Sequence, residues 1–159
     1  MSTTQTTSGV AGDAPAVATI PMRFEVTRIP VADVDRAKAF YQRLGWRLDI
    51  DFMPAENVRG VQFTPPGSPA SIQFGSGGAP VPGPQQGMIL VVDDIEAARD
   101  DIVARGVDVG EIWHQPPGEA RKPGLDPERR SYVSRAEFAD PDGNVWQLQE
   151  ITERLPGRV

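Results

Sequence analysis

The chain has 159 residues, 39% of them apolar, which suffices for one well-buried core and leaves little for a second independent domain. Its 16 Lys and Arg against 22 Asp and Glu give a net charge of -6, which opposes the phosphate neutralisation that sets nucleic-acid affinity. There is no Cys, so disulfides, thiolate metal sites and cysteine nucleophiles are excluded, and a cytoplasmic location is the default expectation.

Residues 1–21, rich in Ser, Thr, Gly and Ala, read as a disordered tail without the basic start and apolar core of a signal peptide. No apolar run approaches the roughly 20 residues that cross a bilayer, so membrane insertion is not expected. A single domain is expected over residues 22–152: a first module at 22–74, a Gly- and Pro-rich linker at 75–86 and a second module at 87–152, followed by a short tail at 153–159. In the first module a strand-like run from Phe24 to Val31 precedes a helix, and strands follow at Trp46 to Phe52, Val58 to Thr64 and Ser71 to Phe74. Pro65-Pro66-Gly67 turns the last hairpin. In the second module Met88 to Val92 precedes the helix, and Val107 to Trp113, Ser131 to Phe138 and Val145 to Ile151 follow it, with Pro141-Asp142-Gly143 in the equivalent turn.

The two modules repeat each other. Laying Val31-Ala32-Asp33 over Val92-Asp93-Asp94 brings Asp33 onto Asp94, Ala37 onto Ala98, Tyr41 onto Ile102 and Gly45 onto Gly106. Asp33 and Asp94 can accept hydrogen bonds from the free N–H groups of a helix start. Val34, Ala37, Phe40, Tyr41 and Leu44 recur at helical spacing, as do Ile95, Ala98, Ile102 and Val103, so each helix has one apolar face. Gly45 and Gly106 tolerate the left-handed conformation that ends a helix. The expected fold class is therefore α+β, with two tandem βαβββ modules. One segment breaks the symmetry: Gln115 to Arg130 is much longer than its counterpart and could form a lid.

Ile29-Pro30-Val31-Ala32-Asp33-Val34-Asp35-Arg36-Ala37, with Phe40-Tyr41 and Leu44-Gly45-Trp46, resembles the opening of the vicinal oxygen chelate superfamily. That group includes glyoxalase I, bleomycin-binding resistance proteins, fosfomycin resistance enzymes and extradiol dioxygenases. Phe138-Ala139-Asp140-Pro141-Asp142-Gly143-Asn144 is similar to the same family near its end, and the resemblance spans about residues 22 to 152. It implies curved sheets enclosing a pocket, commonly with a divalent metal held from the first and last strands of each module. Carried over by motif, those positions are Val26, Gly87, Gln73 and Gln147. A Val, a Gly and two neutral amides would hold a divalent cation feebly, because hard cations want carboxylates and transition metals want imidazole. The expectation is a family member without the metal site, a divalent metal remaining the alternative.

Strand alternation supplies further candidates. If Val26 faces the pocket, so does Arg28, whose donor fork suits a carboxylate or phenolate ligand; the other reading is an internal ion pair with Asp49 or Asp51. Gln73 with Ser71, and Gln147 with Gln149, would point inward, either orienting a ligand or satisfying each other. His114 is the sole histidine and could act as acid or base, assisted by Glu111 or by Tyr132, or serve structurally. Trp113 and Tyr132 are expected to present flat faces to a ligand, whereas Trp146 is expected beneath the second helix. Arg121, Arg129 and Arg130 in the long segment could clamp an anion or simply be solvated.

The leading expectation is a small-molecule-binding protein that sequesters a hydrophobic or aromatic compound such as an antibiotic, without a metal. The alternative is a glyoxalase-like lyase or isomerase, or a dioxygenase, with or without a divalent metal. Apolar strand edges suggest a homodimer.

Overall fold

The computed structural model describes residues 14–158, so the expectation of disorder at residues 1–13 and the final residue of the expected C-terminal tail lie outside it. The first module comprises β1 (Val26–Arg28), α1 (Val34–Arg43), β2 (Arg47–Ala55), β3 (Val58–Thr64) and β4 (Ser71–Ser76). Its sheet has the order β1-β4-β3-β2, with β1 parallel to β4 and the other pairs antiparallel. The second module comprises β5 (Met88–Val92), α2 (Ile95–Ala104), β6 (Trp113–His114), β7 (Lys122–Pro123), β8 (Ser134–Ala139) and β9 (Val145–Glu150). Its sheet has the order β5-β9-β8-β6-β7, again with the first and last strands parallel. This is the α+β arrangement of two βαβββ modules, with β7 added from the long segment. Among the described residues no helix is long and apolar enough to cross a membrane.

Both helices start where the repeat places them. The Asp33 carboxylate accepts from the Arg36 N–H at 2.9 Å and that of Asp94 from the Ala97 N–H at 3.0 Å. Both helices run into glycines with positive φ, 74° at Gly45 and 83° at Gly106, a region that disfavours a Cβ.

The helix-facing sides of both sheets share one core. Ala37, Phe40 and Tyr41 of α1 are buried with Val61, Phe63, Ile72 and Phe74, and the same cluster includes Ile95, Ala136, Phe138, Trp146 and Leu148 from the second module. Trp146, expected beneath the second helix, packs its ring against the first module. Its ring lies 5.0 Å from that of Trp46 and 6.4 Å from that of Tyr41, both in the first module. The reason is polar as well as apolar: the buried indole N–H needs an acceptor and finds the Tyr41 hydroxyl at 3.1 Å.

That hydroxyl donates in turn to Asp140 at 2.8 Å, and Asp140 also accepts from the backbone N–H groups of Asp142 and Asn144. The Asn144 side chain donates to the Pro30 carbonyl and accepts from the Gln85 N–H, both at 2.9 Å. Asp142 accepts from the Ala32 N–H and from Arg36. The turn between β8 and β9 therefore clamps α1, the end of β1 and the linker. Burial, then the neighbouring Asp140 charge, pushes the Tyr41 phenol far above its ordinary pKa, so it stays a neutral donor.

Two of the strands are much shorter than expected. β1 ends at Arg28 because Ile29 makes the last ladder bond, to the Gln73 carbonyl, and Pro30 has no N–H to continue it. Most of the run from Val107 to Trp113 is not strand, because Arg99 takes the Val109 and Gly110 carbonyls at 3.0 and 2.9 Å.

Candidate functional site

Side chains alternate along a strand, so each sheet has a second face turned away from its helix. On the first sheet the paired register lays Arg28, Gln73, Gln62 and Ile50 in one row across the strands, and Gly75, Gly60 and Phe52 in the next. On the second sheet one row is Val91, Gln149, Arg135 and Trp113, and another is Ile89, Gln147 and Glu137. Apolar residues on these open faces lack cover: Ile50 is 39% exposed, Phe52 56%, Ile89 51% and Val91 38%.

The register also places the positions at which the family resemblance implies metal ligands. Val26 pairs with Ser71, while the residue beside Gln73 is Arg28. Gly87 immediately precedes β5, and the residue beside Gln147 is Ile89. By either alignment the donor set does not fit a divalent cation. A guanidinium beside Gln73 repels one, Val26, Gly87 and Ile89 offer no side-chain donor, and the Gln147 amide donates to Glu137 at 3.0 Å. Among the described residues no three or more His, Cys, Asp or Glu gather as a metal-binding group.

Arg28 does not form the ion pair that was its other reading. Asp51 is held by Arg59 and Lys38, which keep its carboxyl well below the usual range. Asp49 is bonded by Thr64 and Arg47, which lower it as well. The Arg28 guanidinium lies instead against Gly78, where a Cβ would come within 3.0 Å of its terminal nitrogen. It borders a recess of about 220 Å³ shared with Phe52, Gly60 and Gln73. The Phe52 ring lies over Gly60, 3.6 Å from where a Cβ would stand.

The other candidates are distributed more widely. The Gln149 amide donates to the Tyr132 carbonyl, and Ser71 is bonded with Thr64, so neither glutamine of β9 pairs with Gln73 across the modules. Trp113 lies between two cations, with the Arg121 guanidinium 4.0 Å and that of Arg135 5.3 Å from its ring. Tyr132 has φ 73°, its backbone N–H donates to the Glu150 carbonyl, and its hydroxyl accepts from the Leu155 N–H. His114 is buried with Nδ1 2.7 Å from the Gly124 carbonyl, which can only accept, so this nitrogen carries the proton. Glu111 is surface-exposed beside Arg99. The structure thus does not gather His114, Tyr132 and Glu111 at one point.

The long segment is pinned along its length. β7 pairs with β6, and Asp126 accepts from Arg130 at 2.7 Å while its own N–H donates to Ser134. Arg129 donates to the buried Glu150 at 2.7 Å and also reaches Glu96. Arg129 and Arg130 are therefore structural ion-pair partners and not a free anion clamp.

Sequence reading missed two features. A cleft of about 370 Å³ lies at the junction of the modules, lined by Phe24, Ile72, Met88, Leu90 and Trp146 among others. Phe52, Ile89 and Val91 also went unnoticed. The signal was the unbroken apolar run of β5 and the apolar alternation of β2, both marks of strands that need cover on the open side. Another recess, of about 440 Å³ between α2 and the long segment, is lined by Glu96, Arg99, Asp100 and Glu111 and is strongly charged.

A comparison with curated proteins returns no match. Among solved structures, the chain is similar to TnmS3, an antibiotic binding protein from Streptomyces sp. CB03234, at 28% identity and a TM-score of 0.62, covering 85% of this chain and 100% of that one. A glyoxalase/bleomycin resistance protein from the same organism is 29% identical with a TM-score of 0.58, covering 80% and 100%. A superfamily member from Sphaerobacter thermophilus DSM 20745 is 26% identical with a TM-score of 0.58, covering 82% and 98%. Residues 23–148 match the family description itself. With its two βαβββ modules and this match over most of its length, the chain belongs to the Glyoxalase/Bleomycin resistance protein/Dioxygenase superfamily.

Proposed function

We propose that this protein binds a hydrophobic or aromatic small molecule, without a resident metal ion, and holds it unchanged. The observation that carries this reading is the register of the first and last strands, which sets Arg28 beside Gln73 and Ile89 beside Gln147 where a metal-dependent relative needs donors. The apolar junction cleft and the exposed Phe52 provide surface for such a ligand. The likeness to an antibiotic binding protein points the same way. A chain without Cys suits a reducing cytoplasm.

A second copy is the proposed cover for part of the open faces, since Ile50, Ile89 and Val91 are exposed in the single chain. Light scattering on the eluting protein is expected to give the mass of a dimer, and a monomer at micromolar concentration would overturn that part.

The binding reading is tested by incubating the protein with a panel of aromatic natural products. Native mass spectrometry then scores complexes, and the bound compound is extracted. Retention of at least one compound with unchanged mass is the expected result. A compound consistently recovered as a new product would replace a binder with an enzyme.

A further inference from the structure

Resting on the reading that the ligand is an aromatic small molecule, the geometry of the first sheet's open face points to a narrower class. We propose that the recess beside β1 recognises a planar aromatic anion, its carboxylate or phenolate oxygens received by Arg28 and its ring laid against Phe52.

Four observations converge. The Arg28 guanidinium has no carboxylate partner among the described residues, because Asp49 and Asp51 are engaged by Arg47 and Thr64 and by Arg59 and Lys38. In a chain of net charge -6, seven of the 14 arginines sit in ion pairs among the described residues, and Arg28, outside those pairs and beside a recess, is an unused anion receptor. Gln73 is its cross-strand neighbour and provides an amide N–H at the same edge. Phe52, 56% exposed, stands over Gly60 in the adjacent row, two strands from Arg28 in the order β1-β4-β3-β2, so a flat face and a backbone free of side chains line the same recess as the charge. Gly78 completes the site, since a Cβ there would crowd the guanidinium at 3.0 Å.

The recess of about 220 Å³ takes one or two fused rings, not an extended ligand, so the anionic end is the part bound here. A planar guanidinium holds a carboxylate through two parallel hydrogen bonds, which a neutral carboxamide of the same shape cannot reproduce. Discrimination between carboxylate and carboxamide is therefore the signature of the site.

The test uses the full chain, with 2-naphthoate and its neutral isostere 2-naphthamide as probes, titrated calorimetrically at low salt. The wild-type protein is expected to bind naphthoate at least about tenfold more tightly than naphthamide, the gain of one charge-assisted pair. Arg28→Gln is expected to erase that difference and leave naphthamide binding unchanged, while Arg28→Lys retains part of it. Unchanged melting temperatures establish that the variants are folded, as substitution of an exposed side chain should allow. Equal binding of the two probes by the wild type, or a preference that survives Arg28→Gln, would overturn the anion site and leave aromatic binding standing. Binding of neither probe would overturn the anion site, with the natural-product panel deciding the broader reading separately.

Discussion

The two faces of the first sheet are built from the same strands and treat their residues in opposite ways. On the helix side Tyr41, Phe63, Phe74 and Trp146 are nearly inaccessible, and the polar atoms of Tyr41, Asp140, Asn144 and Trp146 are bonded to one another. On the open side Arg28 has no carboxylate partner among the described residues and Phe52 faces solvent. A network with every member satisfied rigidifies and specifies a packing. Groups left unsatisfied at a recess remain free to be satisfied by something else. The contrast separates residues that make the fold from residues available for a ligand, and it can be attacked from both sides.

The largest effect is expected at the junction. Trp146→Ala removes an indole packed on Tyr41 and Trp46, and should destabilise the chain by about 3–5 kcal/mol in denaturant unfolding. Tyr41→Phe keeps the ring but strands the buried Trp146 N–H and removes one of the two bonds to Asp140 Oδ2, which keeps that from Asn144. A loss of about 1–3 kcal/mol is expected, and a neutral result would mean that the clamp contributes nothing to stability.

An acid titration separates the structural ion pairs from the open face. Arg59, Arg130 and Arg129 hold the carboxyls of Asp51, Asp126 and Glu150 below their ordinary values. A depressed folded pKa means that the unfolded chain takes up the proton first as pH falls. The stabilisation is complete above the unfolded value of about 4 and is lost as pH drops through the lower folded values. The melting temperature should be level between about pH 7 and 5 and fall steeply below about 4. Asp126→Asn should lower the neutral-pH plateau and flatten the acid limb; an equally steep limb would remove this pair from the explanation. The smallest stability effect is expected at Phe52→Ala, within about 0.5 kcal/mol, with affinity for aromatic ligands falling clearly. A large stability loss there would dissolve the distinction between the two faces.

The helix-side face was readable from sequence because its signals are local. Asp33 and Asp94 announce helix starts, Gly45 and Gly106 their ends, and the apolar spacing between them marks the buried stripe. That Arg28 and Gln73 both face the open side was legible through strand alternation, whereas their pairing was not, the register setting Val26 against Ser71 instead. What escaped depends on contacts distant in the chain. Nothing near Val109 says that Arg99 will take its carbonyl and stop a strand. Nothing near Trp146 says that its N–H will cross to Tyr41 in the other module. His114 shows the same limit, since a lone histidine invites a chemical role until its Nδ1 is found on the Gly124 carbonyl.

On the proposed reading the chain keeps the fold and pocket surface of its superfamily without the metal. Elemental analysis of protein purified without chelator, set against a buffer blank, tests it most directly. Transition metal far below one ion per chain is expected, with no loss of ligand binding after chelator treatment. One ion per chain, removed by chelator together with binding, would contradict it.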